Sequence, residues 1–184
     1  FPDVALQNGG GIRNNTIIPA GPISELDTFD MAPFSNFVTI VPDIPREQFK
    51  EILENAVSRV EFVDGRFAQV SGFSFVFSPV GIPQELDDDG NVVTEGTRVI
   101  HVELDDGTVI VEEGVVQPGD ALNIATIDFL ARGGDQYPYR GADFTALGAT
   151  YQQALSNYIK TGLSGLITAE DYPEGGEGRI NELE

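Results

Sequence analysis

The sequence predicts a single α+β domain, and three observations carry that expectation. Two stretches place apolar residues at helical spacing, several others alternate apolar and polar residues as strands do, and the strands come in runs rather than one per helix. With 184 residues and 41% hydrophobic content, the chain is long enough to bury one core and short for two. The sheets are expected to be antiparallel or mixed and layered with the helices, in one domain over residues 1–184.

The first element is the apolar stretch Val4-Ala5-Leu6, which runs directly into Asn8-Gly9-Gly10-Gly11-Ile12-Arg13. A strand that ends in three glycines lets the backbone approach a ligand closely, and the arginine behind them aims one cation at it. It begins almost at residue 1, so the chain reads as cut from something larger. Ser24 is suited to cap a short helix that opens at Glu25-Leu26-Asp27. Pro33-Phe34-Ser35-Asn36 leads into a strand. Pro45 to Val57 reads as a helix, with Pro45 fit for the first turn and Phe49, Ile52, Leu53, Ala56, Val57 and Val60 spaced for one face.

Phe73-Ser74-Phe75-Val76-Phe77 and the run from Arg98 to Leu104 then alternate as strands, and Asp105-Asp106-Gly107 turns the second into Thr108–Val111. Ala121–Thr126 is another strand, leading to Phe129 and the pair Gly133-Gly134. A second long helix is expected from about Leu147 to Lys160, with Leu147, Tyr151, Ala154, Leu155 and Tyr158 on its apolar face and Gly162 as its stop. Gly178–Leu183 supplies a last strand.

Thirty acidic residues against ten basic ones give a formal charge of −20, which repels nucleic acid and anionic lipid surfaces. No nucleic-acid partner is expected, and no apolar run approaches the roughly 20 residues that span a bilayer. Without cysteine there is no disulfide, thiol nucleophile or thiolate metal site. The single histidine, His101, lies mid-strand and reads as a solvated or hydrogen-bonded strand residue, which leaves no His/Asp cluster for a metal and no base for a serine nucleophile. No catalytic residue, metal ligand or cofactor is therefore assigned to this chain.

Asp87-Asp88-Asp89-Gly90-Asn91 has the look of a calcium loop, but Val92 stands where an EF-hand has its glycine, so it reads as a turn. Gly9-Gly10-Gly11 fails the dinucleotide pattern because Asn14 occupies the place of the third glycine. What remains is Phe34 and Phe129, each in a loop beside polar residues. Two such rings suit a flat base by stacking; the competing reading is plain core packing.

Four blocks in order bear on that choice: Leu6–Arg13, Pro33-Phe34-Ser35-Asn36, Gly65-Arg66-Phe67-Ala68-Gln69-Val70-Ser71-Gly72 and Phe129-Leu130-Ala131-Arg132-Gly133-Gly134-Asp135. Together they resemble the C-terminal domain of the 5'-nucleotidase family, and the resemblance extends to Glu177-Gly178-Arg179-Ile180. It implies a four-layer α/β/β/α domain that recognises a nucleotide or nucleoside. A separate N-terminal metallophosphoesterase domain would hold two divalent metal ions and hydrolyse the phosphate ester, leaving this half inactive alone.

By the same resemblance Phe34 and Phe129 match the rings that clamp the base and Asn36 a residue polar to it. Asp135 matches the acceptor of ribose hydroxyl hydrogen bonds, and Arg13 with Asn8 the loop directed at the phosphate or ribose side. The family often has Asn at the position of Asp128 and Gly at that of Ser35, differences that bear on base preference. A secreted, periplasmic or cell-surface location is expected. The alternative is a binding or structural module of a larger extracellular protein without phosphatase activity.

Overall fold

The computed structural model describes residues 1–183. Its strands are β1 (Val4–Asn8), β2 (Phe37–Ile44), β3 (Ala68–Ser71), β4 (Phe73–Phe77), β5 (Glu85–Leu86), β6 (Val92–Thr94), β7 (Val99–Leu104), β8 (Val109–Glu112), β9 (Val115–Val116), β10 (Leu122–Ile127), β11 (Thr145–Thr150) and β12 (Ile180–Glu182). The α-helices are α1 (Glu25–Met31), α2 (Arg46–Val57), α3 (Asp128–Ala131) and α4 (Tyr151–Asn157). One five-stranded sheet runs β11-β2-β10-β1-β3, a second runs β12-β4-β7-β8-β9, and β5 and β6 form a two-stranded sheet of their own. β1 is parallel to β10 and β12 to β4, while the remaining neighbours are antiparallel, so both five-stranded sheets are mixed. The fold is α+β, as the sequence predicts.

Alternation decides which faces pack. β1 and β4 both alternate buried with half-buried residues. On β4 this turns Phe73, Phe75 and Phe77 to one side, with successive ring centroids 6.2 and 6.1 Å apart. Phe49 of α2 meets Phe73 edge-on at 5.2 Å, an arrangement that rings prefer over face-to-face stacking.

α2 touches β3 of the first sheet and β7 and β9 of the second, and each residue from Ile52 to Val57 is buried. That burial encloses Glu54 and Asn55, whose polar groups must find partners inside. Glu54 accepts the N–H groups of Arg98 and Val99 at 3.0 Å each and the Lys50 ammonium at 2.7 Å. The carboxylate thus ties α2 to the start of β7. Pro45 stands just ahead of this helix as its N-cap, and Val60 falls beyond it in a 3₁₀ turn, Val60–Phe62.

The Ser24 cap forms as predicted and is reciprocal: the Asp27 N–H donates to the Ser24 hydroxyl, and the Ser24 N–H donates to the Asp27 carboxylate at 2.6 Å. Asp87–Asn91 is a turn between β5 and β6, in which the Asp87 carboxylate accepts from the N–H groups of Asn91 at 2.8 Å and Asp89 at 3.0 Å. His101 is a hydrogen-bonded strand residue, its ring nitrogens 3.2 Å from Glu103 and 3.0 Å from Glu112.

The helix expected from Leu147 to Lys160 is shorter and faces differently. Thr145–Thr150 is strand β11, paired with β2 through Thr145, Ala146 and Thr150. The helix starts only at Tyr151, because Thr150 and Gln153 cap each other as a capping box. Leu147 is exposed on the strand and Tyr158 half-exposed, whereas Gln152, Ser156 and Ile159 are buried. Gln152 donates to the Thr28 hydroxyl at 2.8 Å and so joins α4 to α1. Tyr158–Gly162 finishes as a π turn, which ends at the predicted Gly162.

Removing the Glu54 carboxylate leaves two buried N–H groups without an acceptor and the Lys50 ammonium with only the Gly96 carbonyl at 3.3 Å. Glu54→Ala is expected to cost about 3 kcal/mol of folding stability, read as a lower midpoint in urea unfolding; an unchanged midpoint would show that α2 does not depend on this tie.

Candidate functional site

Strand direction gathers four loops at one edge of the first sheet. β1 and β10 are parallel, with Val4 opposite Ile124, so their C-terminal ends, at Asn8 and Ile127, point the same way. β2 is antiparallel to β10 with Val38 opposite Ile127, which puts the loop Pro33–Asn36 at that edge. β3 is antiparallel to β1 with Ala68 opposite Asn8, which adds the loop Val63–Phe67. A crevice beyond the carboxyl ends of parallel strands is where open sheets place ligands. Here it is a cavity of about 770 Å³.

Glycine lets two of these loops touch. Gly9 N–H donates to the Phe67 carbonyl and Gly10 N–H to the Gly65 carbonyl, both at 2.7 Å. A Cβ on Gly10 would sit 3.1 Å from the Gly65 Cα, and one on Gly65 would sit 3.0 Å from the Gly10 Cα, so a side chain at either position would push the backbones apart.

The other loops are tied down by side chains. The Tyr151 hydroxyl donates to the Gly11 carbonyl at 3.0 Å and accepts the Phe34 N–H at 3.1 Å. The Tyr151 N–H donates to the Asn36 carbonyl at 3.0 Å, and Asp128 accepts the Phe37 N–H at 2.9 Å. Burial raises the Tyr151 pKa above its ordinary value.

All six residues singled out in the sequence, Asn8, Arg13, Phe34, Asn36, Phe129 and Asp135, line this cavity. Phe34 is 43% exposed and Phe129 41%, large apolar rings left open at a cavity wall. A Cβ on Gly134 would lie about 2.5 Å from the Phe129 ring atoms, so only glycine allows the ring to rest there. The Arg13 guanidinium lies over the Phe34 ring, 5.2 Å from its centroid, a cation–π contact. Among the described residues every other lysine and arginine side chain reaches a carboxylate or a backbone carbonyl, and Arg13 reaches neither.

Asn8 is buried, 3% exposed. Its Oδ1 accepts from Gln7 at 2.8 Å, and its Nδ2 donates to the Asp135 carboxylate at 2.6 Å. One carboxylate oxygen is thereby anchored, and the carboxylate retains acceptor capacity for a ligand.

Sequence reasoning passes over several contributors. Val63, Asp64 and Phe67 line the cavity too; the Gly65–Gly72 block points near them without assigning a role. Val63 adopts φ 52° and is 93% exposed, an unusual backbone state for a β-branched residue. Asp64 feels opposing effects: burial raises its pKa, but hydrogen bonds from the Arg66 N–H and guanidinium outweigh this and hold it below the usual carboxylate range. Helical spacing assigns Tyr151 to an apolar helix face, whereas its hydroxyl joins two site loops.

Chemically, the cavity offers two open rings, the Asp135 carboxylate with its amide partner, the Asp64 carboxylate already engaged by Arg66, and one guanidinium without an acidic partner. These suit binding of a flat ligand that carries hydroxyls and an anionic group. No three His, Asp or Glu side chains come together as a metal-ligand set among the described residues.

Comparison with known proteins agrees with this architecture. Residues 2–141 match the family described as 5'-nucleotidase, C-terminal domain. The chain is 31% identical over 134 residues to the trifunctional nucleotide phosphoesterase protein YfkN of Bacillus subtilis (strain 168), covering 73% of this chain and 8% of that protein. Its fold is similar to the crystal structure of a 5'-nucleotidase precursor from Thermus thermophilus, at TM-score 0.75 and 28% identity, over 99% of this chain and 32% of that one. It also resembles the NAD nucleotidase of Haemophilus influenzae, at TM-score 0.63 and 18% identity, covering 100% of this chain and 30% of that one. The chain therefore spans a small part of the relatives it matches, and by the match over residues 2–141 it belongs to the 5'-nucleotidase C-terminal domain family.

Proposed function

We propose that this domain recognises the nucleotide or nucleoside for a 5'-nucleotidase-like phosphoester hydrolase, clamping the base between Phe34 and Phe129. The observation that carries the reading is the pair of large, half-exposed rings facing one cavity together with Asp135 and Arg13. Asn36 contributes a polar edge for the base. Asp135, oriented by Asn8, accepts from ribose hydroxyls, and charge assistance makes such bonds stronger than neutral ones. Arg13 attracts the phosphate, the one place among the described residues where a strongly acidic chain leaves a cation free.

Hydrolysis belongs to an N-terminal metallophosphoesterase domain of the same protein, whose two divalent ions would polarise the phosphate and activate water. The present chain supplies orientation and selectivity and is inactive by itself. A secreted, periplasmic or cell-surface setting accords with the acidic composition, and the similar Thermus thermophilus protein is a precursor. No helix among the described residues is long and apolar enough to cross a membrane.

Calorimetric titration with adenosine, AMP and a pyrimidine nucleoside tests the binding role. Phe129→Ala and Phe34→Ala are each expected to weaken adenosine binding by about 1–3 kcal/mol, the value of one base–aromatic stack; unaltered affinity in both would remove the clamp. Gly134→Ala should weaken binding in the same direction by displacing the Phe129 ring, with the ring's shift visible in aromatic NMR resonances.

Arg13→Ala should leave adenosine affinity nearly unchanged and weaken AMP by about 1 kcal/mol, with a shallower salt dependence. Equal effects on both ligands would assign Arg13 to the base or ribose instead. Phosphate release by the full-length protein with divalent cations separates a hydrolase from a binding module: binding without release favours the module.

A further inference from the structure

The carboxylate assigned to ribose stands on backbone that a non-glycine residue adopts reluctantly. Asp135 has φ 52° and the next residue, Gln136, φ 58°. Two consecutive L-residues in the left-handed region are strained, and such strain persists only where surrounding structure enforces it. The enforcing contacts come from α2 and from the loop ahead of β3.

Asn55, 2% exposed near the C-terminal end of α2, donates Nδ2 to the Asp135 carbonyl at 3.1 Å. Its Oδ1 accepts from Arg66 Nη1 at 3.2 Å. Arg66 Nη2 donates to Gln136 Oε1 at 3.2 Å, and Nη1 also reaches the Ser58 hydroxyl at 3.3 Å. Arg66 Nε donates to the Asp64 carboxylate at 3.2 Å, and the Arg66 carbonyl accepts the buried Tyr137 hydroxyl at 2.7 Å. Both strained residues, and the residue after them, are thus gripped from Arg66 and Asn55. Neither of those two lines the cavity of Phe34 and Phe129; both line a separate cavity of about 470 Å³.

The chemistry of the grip fits orientation better than ligand binding. With Asp64 ionised beside it, the guanidinium charge is already answered, and the planar fork serves as a rigid set of donors. Asn8 holds one oxygen of the Asp135 carboxylate but nothing of its backbone. Without the brace the Asp135–Gln136 pair is free to relax toward an ordinary conformation and carry the carboxylate away.

We infer that Arg66 and Asn55 are positioning residues that hold Asp135 in its left-handed conformation, so that the domain favours ribose-bearing ligands over the free base. The inference rests on the nucleoside reading above. Preorganising a hydrogen-bonding carboxylate in this way raises affinity for the sugar while leaving base stacking untouched.

Two measurements on Arg66→Lys and Asn55→Ala test it. Lysine keeps the charge beside Asp64 but lacks the fork. In calorimetric titrations with adenosine and adenine, both variants are expected to bind adenosine about tenfold more weakly and adenine unchanged, the size of one charge-assisted hydrogen bond. A constant adenosine-to-adenine ratio overturns the inference, whether both affinities fall or neither moves.

In the unliganded protein, backbone NMR shifts of Asp135 and Gln136 should move away from left-handed values in both variants, and unchanged shifts overturn the brace. Wild-type protein that binds neither ligand would sink the nucleoside reading, and the backbone shifts then still decide the brace. Should Asn55→Ala not fold, Asn55→Asp, which keeps the shape and the acceptor for Arg66 but loses the Nδ2 donor to the Asp135 carbonyl, carries the same expectations.

Discussion

The parallel pairing of β1 with β10 is the constraint on which the site depends. It brings the C-terminal end of a strand that begins at Val4 beside the end of one that begins at Leu122. Antiparallel β2 and β3, flanking that pair, then have no choice but to start at the same edge. Four loops far apart in sequence meet there, and each delivers residues to one cavity. If the pair were antiparallel, Asn8 and Asp128 would lie at opposite ends of the sheet and no shared cavity would exist.

Polar links tie the cavity walls together. Tyr151 joins the glycine loop to the Phe34 loop, Asp128 joins that loop to the Phe129 helix, and Asn8 meets Asp135. Hydrogen bonds fix direction as well as distance, which apolar contacts do not, and a binding site needs direction. The aromatic series Phe49, Phe73, Phe75, Phe77 and Phe67 meanwhile connects buried α2 to the cavity floor. Phe34 and Phe129 stand apart from that series, open to the cavity rather than absorbed into the core.

Charge sets one side of the site apart. A formal charge of −20 disfavours anions over most of the surface, and nearly all the cations are consumed by internal pairs. Arg13 escapes because it sits on the exposed segment beyond Gly11, stacked on Phe34 with no carboxylate within ion-pair distance among the described residues. One free guanidinium in such a field is a local exception, and under the proposed nucleotide reading it is where a phosphate group would approach.

Much of this is legible in the residues. Alternation in Phe73–Phe77 and in Val99–Leu104, the helical stripe from Phe49 to Val57 and the Ser24 cap are local signals, dictated by side-chain period and hydrogen-bonding type, and each appears where the sequence puts it. The six site residues are legible only through blocks of motif taken in order, because nothing in the spacing of Asn8, Phe34 and Asp135 says that they meet. The stretch Leu147–Lys160 misleads because its apolar residues fit a helix, while pairing of Thr145 and Ala146 with β2 and the Thr150 cap delays the start to Tyr151.

By itself, then, the sequence determined most of the longer strands and the helix that carries Phe49 to Val57, the acidic character and the residue types fit to bind a base, a hydroxyl and an anion, since these follow from local periodicity and side-chain chemistry. Only the tertiary structure decided that the Tyr151 hydroxyl faces two loops, that Arg13 among the described lysines and arginines reaches neither a carboxylate nor a backbone carbonyl, and that Asn55 and Arg66 grip a left-handed Asp135. Those are relations between groups distant along the chain, and their geometry exists only once the strands have chosen partners and direction.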